Sequence, residues 1–243
     1  MRYLMTFSYD GTNFNGYQIQ KDKRTIEEEI EKVLTKINHN NYVKIHASGR
    51  TDTHVHALNQ KAHFDLENIE EEKLKTKLNK MLPSDIYIKN IEKVEKNFHA
   101  RYHKKQKEYI YKINLGEYNP LEANYIYQYN KSLNIKNMEE ASKYLIGTHD
   151  FTSFVAASGK KEDMTRTITE ISFIIKEDIL TITFKGDGFL RYQVRNMVGT
   201  LIEIGENKKE VKEIEEILKS KDRKKASKTF SPVGLYLKDV TYL

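Results

Sequence analysis

The chain has 243 residues, long enough to bury a substantial core as one large domain or two small ones, and it contains no cysteine, which excludes disulfides and thiolate metal sites. A net charge of +6 at pH 7 suits a polyanionic partner, although a lysine-rich surface alone produces the same balance. Met1-Arg2-Tyr3-Leu4-Met5-Thr6 turns polar too early for a signal peptide and no apolar run approaches membrane-spanning length, so a soluble, cytoplasmic protein with no membrane partner is expected.

Residues 3–9 alternate Tyr3, Met5, Phe7 and Tyr9 against Leu4, Thr6 and Ser8, which predicts a strand. Asp10-Gly11-Thr12-Asn13 is turn chemistry. Thr25 with Glu28 three residues on reads as a capping box, and Ile26, Ile30, Val33, Leu34 and Ile37 then form an apolar helical stripe, a core feature. Strands predicted over 42–47 and 59–65 enclose a polar loop with one carboxylate, one guanidinium and two imidazoles, and rigid scaffolds present their chemistry on such loops. Asp52 follows Arg50 by two residues, a separation that puts both side chains on one face of extended backbone. A cation there keeps a carboxylate ionised, fit to act as nucleophile or base. The plain alternative is a surface pair contributing at most about 1 kcal/mol. A helix near 69–80, with Ile69, Leu74, Leu78 and Met81 apolar, stops before Pro83, and a strand over 86–91 closes the unit. The order β-α-β-β-α-β predicts an α+β protein built on a ferredoxin-like sandwich.

From Arg101 to Lys112, Arg101, Lys104, Lys105, Lys107 and Lys112 interleave with Tyr102, Tyr109 and Tyr111, a pattern that suits a nucleic-acid backbone with stacked bases. The Tyr109, Tyr111, Ile113 alternation equally fits a strand with an apolar inner face. A strand over 107–115, a loop with Pro120, a helix near 137–146 and strands over 167–176 and 179–185 follow. A helix over 189–204 ending at Gly205, a further helix over 209–219 and a strand over 235–242 complete the chain. Apart from the extra helix this repeats the first order. Arg191 and Arg195 stand one helical turn apart. Lys219–Lys228 is a basic run better read as solvated loop than as a phosphate contact. His54, His56 and His63 with Asp52 make a weak metal-ligand pattern, and no metal is expected.

Gly49-Arg50-Thr51-Asp52, then Val55-His56-Ala57 and Gln60, resembles the catalytic motif of the tRNA pseudouridine synthase A family, whose Asp attacks the uridine. Gly16-Tyr17-Gln18-Ile19-Gln20 resembles the family's Gly-Trp-Gln-x-Gln, with Tyr for Trp. Phe98-His99-Ala100-Arg101 is similar to its joint between halves, and Gly147–Phe154, Phe189–Gly199 and Gly234-Leu235-Tyr236-Leu237 resemble three further signatures. The matches span essentially the whole chain. The resemblance implies two ferredoxin-like domains, residues 1–103 carrying the Asp loop and 104–243 completing the active site, with sheets joined across a central basic cleft, in a homodimer. It implies isomerisation of uridine to pseudouridine in the anticodon stem-loop of tRNA, typically at positions 38, 39 and 40, without a cofactor. Asp52 would be the nucleophile, Arg50 would stand beside it and Arg195 would pair with its carboxylate. Tyr109 would stack on the uracil, Leu235 would pack beside it, and Arg101 would contact substrate. Two departures stand out: Phe230-Ser231-Pro232-Val233 is unlike the family pattern, and Thr53-His54 replaces its Ala-Gly. Losing that glycine puts a Cβ where positive φ is natural, a strain of roughly 1 kcal/mol. It is also the only support for a tRNA-binding relative that has lost catalysis, against which Asp52, Arg50, Tyr109 and Arg195 all stand.

Overall fold

A computed structural model describes residues 1–156, 159 and 163–242, a mixed α+β fold with ten strands and five α-helices among the described residues. Two compact units divide it: Met1–Lys105 together with the residues from Tyr236 on, and Gln106–Leu235.

The first unit runs β1 (Arg2–Tyr9), α1 (Ile26–Ile37), β2 (Ile45–Ala47), β3 (His56–Asp65), α2 (Glu71–Met81) and β4 (Ile86–Val94), and takes in β10 (Leu235–Tyr242) from Tyr236 on. Strand β1 is central, antiparallel to both β4 and β3, with Met5 opposite Ala62 on one side and Ile91 on the other. Its Tyr3, Met5, Phe7 and Tyr9 are buried, as the alternation predicts, and Leu4 is buried too. The other edge of β3 holds β2 antiparallel (Ile45 opposite Phe64) and β10 parallel (Tyr236 opposite His56). The strand over 235–242, counted in the sequence as the end of a second β-α-β-β-α-β repeat, takes β3 as a parallel partner. Parallel partners sit far apart in sequence, and short-range patterning carries no signal for them.

Ile26, Ile30, Val33 and Leu34 of α1 are buried against the sheet, each contributing about 1.5–3 kcal/mol of apolar burial. The capping box does not form: Thr25 is the N-cap residue, but its hydroxyl makes no capping bond and is buried without a hydrogen-bond partner among the described residues. Glu27, Glu28 and Glu29 in the first turn complement the helix dipole instead. Helix α2 starts two residues later than expected, because the Glu70 carboxylate accepts the Glu72 and Lys73 N–H groups and sets the start there. Met81, placed in its apolar stripe, is exposed.

The second unit contains β5 (Lys104–Asn114), β6 (Tyr127–Gln128), α3 (Ile135–Lys143), β7 (Gly147–Asp150), β8 (Thr165–Lys176), β9 (Ile179–Gly186), α4 (Gln193–Gly205) and α5 (Glu213–Ser220). Strands β5, β9, β8 and β7 lie in that order, all antiparallel, with Tyr109 opposite Phe184, and β6 pairs in parallel with β5. Glu177 and Asp178, both at positive φ, make the two-residue link between β8 and β9, the twist a tight hairpin demands. In β5 the inner-face reading holds from Lys107 on: Lys107, Tyr109, Tyr111 and Ile113 are all buried, while Lys105 near the start of the strand and Arg101 and Tyr102 before it are exposed. Asp150 caps the turn after β7, accepting the Thr152 N–H at 2.9 Å.

Candidate active site

The loop between β2 and β3 is shorter than the sequence suggests, Ser48 to Val55, because β3 already begins at His56. Its entry is clamped by Gln60, which is fully buried: the side-chain oxygen accepts the Ser48 hydroxyl (2.7 Å) and the side-chain nitrogen donates to the Gly49 carbonyl (3.0 Å). Thr51 is buried, its hydroxyl 2.7 Å from that of Tyr9 and its carbonyl accepting the Tyr17 N–H at 3.1 Å. Burial raises the pKa of the Tyr9 phenol, so it stays protonated and available to this bond. Burial likewise pushes the Tyr17 phenol well up, and its hydroxyl has no hydrogen-bond partner among the described residues.

Asp52 is half-buried and opens a β-turn, its carbonyl accepting the Val55 N–H at 3.2 Å. The third residue of that turn, His54, has φ +62°, where the sequence places a strained Cβ. Two glycines let the segment after β1 close over this turn. A Cβ on Gly11 would stand 2.2 Å from the Val55 carbonyl oxygen. Gly16, at φ +87°, would bring one to 3.0 Å from the Thr51 carbonyl oxygen. No other residue type fits at Gly11 without moving backbone. The His54 Nδ1 lies 2.7 Å from the Thr12 carbonyl oxygen, and the buried His56 Nδ1 accepts the Gly11 N–H at 3.1 Å while its ring stacks on Tyr236. The result is a carboxylate on a turn whose backbone is held on three sides.

Arg50 is exposed on the same loop, and Arg101 is exposed after β4, its N–H donating to His99 Nδ1 at 3.2 Å. Tyr109, Arg195 and Leu235 belong to the second unit. Tyr109 is buried in β5, edge-on to Phe189 with ring centroids 5.2 Å apart. Leu235 is buried at the start of β10. Arg195 donates from Nε to the Phe230 carbonyl at 2.8 Å, and its guanidinium lies 4.8 Å from the centre of the Tyr192 ring. Arg191 is not on the helix as expected. Tyr192 takes φ +64° and the helix starts at Gln193, so Arg191 lies in the preceding turn, yet its guanidinium also reaches the Tyr192 ring at 5.1 Å. Nothing in Phe189-Leu190-Arg191-Tyr192 signals that left-handed residue, since no glycine or asparagine marks it. The Lys219–Lys228 run is not uniformly solvated: Arg223 turns inward and donates to the Ala226 and Ser227 carbonyls, to Asn196 Oδ1 and to Thr229 Oγ1.

The three histidines that suggested a metal set are held apart, His54 at Thr12, His56 at Gly11 and His63 elsewhere, and no group of three His, Cys, Asp or Glu among the described residues is placed to hold a metal ion. His63 belongs to a cluster the sequence does not signal, because its members come from β2, β3 and the segment after β4. Its ring stacks on His46 (4.9 Å), meets His99 edge-on (4.6 Å), and its Nδ1 accepts the Ala100 N–H at 3.1 Å. Burial, then the neighbouring His99, His46 and Arg2, lower its pKa to about 4, with Asp65 opposing. A histidine lowered from 6.5 stabilises the fold above its unfolded pKa and loses that contribution as pH falls through the folded value. Thermal melts from pH 7 to pH 4 are therefore expected to show about 2 kcal/mol of acid destabilisation, reduced in His63→Asn, which keeps an acceptor near Nδ1 but cannot titrate. An unchanged acid slope in that variant would remove His63 from the account.

A family model for tRNA pseudouridine synthase matches residues 5–103 and 141–243. The chain is 48% identical over 246 residues to the tRNA pseudouridine synthase A of Streptococcus pyogenes serotype M49 (strain NZ131), covering 100% of this chain and 99% of that protein. The corresponding protein of Streptococcus pyogenes serotype M1 matches equally, at 48% over the same lengths. A match of this extent leaves no part of the described fold outside the resemblance, and with the Gly49–Asp52 motif in place the chain belongs to the tRNA pseudouridine synthase A family of isomerases.

Proposed function

We propose that the chain isomerises uridine to pseudouridine in the anticodon stem-loop of tRNA, at positions 38, 39 and 40, with Asp52 as the catalytic carboxylate. The observation that carries this reading is the Asp52 turn, half-buried, clamped by Gln60 and Thr51 and closed over by Gly11 and Gly16. The reaction detaches uracil from C1′, turns it and rejoins it through C5, with no redox change and no external group, so the reading requires no cofactor. One ionised carboxylate serves attack on C1′, addition to C6 or removal of the C2′ proton, and each route begins with a base taken out of the stack at a cost of a few kcal/mol. Arg50 and Tyr109 fill or stack around that gap, Leu235 packs beside the base, and Arg101 meets the RNA backbone. In this reading residues 1–103 and 104–243 are two ferredoxin-like halves, and the working form is a cytoplasmic homodimer. The only feature that favoured a non-catalytic binder was Thr53-His54, and His54 occupies its turn at positive φ with its ring tied down. Loss of tritium from tRNA labelled at uridine C5 tests the reading, since C5 must exchange its hydrogen for the bond to C1′. Retention of all label in the presence of enzyme would refute it.

Arg195 is the proposed counter-ion of Asp52. A paired guanidinium favours the carboxylate anion, whereas desolvation in a water-excluding pocket favours the acid. Arg195→Met is expected to lower turnover and to make activity rise with pH over a range where the parent is flat. Loss of the bond to the Phe230 carbonyl adds about 1 kcal/mol of destabilisation, so a thermal melt accompanies the kinetics. A folded variant with the parent's rate and pH profile would exclude this role.

A further inference from the structure

We infer that His54 is a positioning residue for Asp52, its ring tying the catalytic turn to the Asp10–Asn13 turn; the inference rests on the proposed role of Asp52. The turn from Asp52 to Val55 is closed by the Val55 N–H to Asp52 carbonyl bond at 3.2 Å, and His54 occupies its third position at φ +62°. That corner suits glycine, and a residue with a Cβ holds it at a cost of roughly 1 kcal/mol. The compensation is visible in the ring. Nδ1 of His54 lies 2.7 Å from the Thr12 carbonyl oxygen, and the His54 N–H reaches the Phe14 carbonyl at 3.4 Å. A carbonyl only accepts, so Nδ1 carries the hydrogen in this bond, as it does both in one neutral tautomer and in the imidazolium.

Thr12 is itself fixed, because the Asp10 carboxylate accepts both its N–H (2.9 Å) and its hydroxyl (2.6 Å). The anchor is thus a rigid turn at the end of β1, and the tethered residue is two positions from Asp52. Without the ring, the strain at His54 is relieved by rotating the turn's peptides, which re-aims the Asp52 side chain. Placement errors of this kind act on the reacting geometry more than on binding of a large substrate. The ring itself has no chemical step in this account.

Three variants separate the possibilities. His54→Ala keeps the strained Cβ and loses the tether, whereas His54→Gly loses both. His54→Ala is expected to lower single-turnover tritium release about fivefold to tenfold, the equivalent of one lost hydrogen bond of about 1 kcal/mol, with tRNA affinity within about twofold. His54→Gly is expected to recover most of that rate. Hydrogen exchange at the Val55 amide, read without RNA, is expected to accelerate in His54→Ala and less so in His54→Gly. Parent-like rate and exchange in His54→Ala would overturn the inference, and so would equal losses in Ala and Gly, which would make the ring a group that touches substrate. Asp52→Asn serves as the third variant: activity in it refutes the proposed function, whereas the exchange measurement judges His54 independently.

Discussion

Asp52→Asn is expected to bind tRNA as the parent does and to lose turnover by about three orders of magnitude or more, as removal of a group essential to the chemistry does elsewhere. The change is nearly isosteric, and asparagine is as acceptable as aspartate in the first position of a β-turn, so the Val55 N–H to residue 52 carbonyl bond persists. The neighbours that shape the loop, Gln60 at Gly49 and Tyr9 at Thr51, act on backbone and hydroxyl groups that the substitution leaves alone. What disappears is the negative charge, and none of the three routes open to Asp52 runs without it. Tritium release under single-turnover conditions measures the loss, a filter-binding titration measures the retained affinity, and a melt confirms the fold. Substantial residual turnover in Asp52→Asn would place the catalytic carboxylate elsewhere.

Affinity for tRNA is expected to fall about a thousandfold between roughly 50 and 200 mM salt, the response of a footprint that neutralises about six phosphates. The sequence supplies 41 Lys and Arg against 35 Asp and Glu, an excess too small to matter unless the charges are arranged. The structure sorts them. Lys107 is buried in β5 and Arg223 is spent on carbonyls within its own unit, so neither is available to phosphate. Arg101 and Lys105 after β4, and Lys219, Lys221, Lys224, Lys225 and Lys228 around the end of α5, are exposed. Lys219 and Lys221 are partly neutralised by Glu215 (2.6 Å) and Asp150 (2.9 Å), exposed pairs worth about 1 kcal/mol or less that phosphate can displace. Charge-reversal of Lys224 and Lys225 together is expected to reduce the slope of log affinity against log salt by about two. A flat titration of the parent would mean that these basic stretches do not face RNA.

The elements that the sequence by itself determined are those governed by short-range periodicity. Strand β1, helix α1, strands β8 and β9 with their two-residue link, and β4 all follow from alternation or helical spacing, because burying one face of a regular element repeats every two or about 3.6 residues. The loop with Asp52 was legible for a different reason: an ordered string of Gly, Arg, Asp, His and Gln residues is specific even without coordinates, and it carried the family. Boundaries were less legible. Helix α2 begins where Glu70 caps it, and α4 begins only after Tyr192 turns left-handed, events decided by one side chain or one dihedral angle.

Only the tertiary structure decided what depends on partners distant in the chain. The pairing of β10 with β3 joins residues about 180 positions apart. The His46, His63, His99 cluster draws on three separate segments, and its depressed titration comes from burial that no local pattern encodes. Thr12 was legible as a turn residue but not as an anchor, since it holds His54 through a carbonyl, a group every residue carries. The strain at His54 was readable from the sequence because a glycine was missed there. Its compensation was not, because that required knowing which backbone oxygen lies 2.7 Å from the ring.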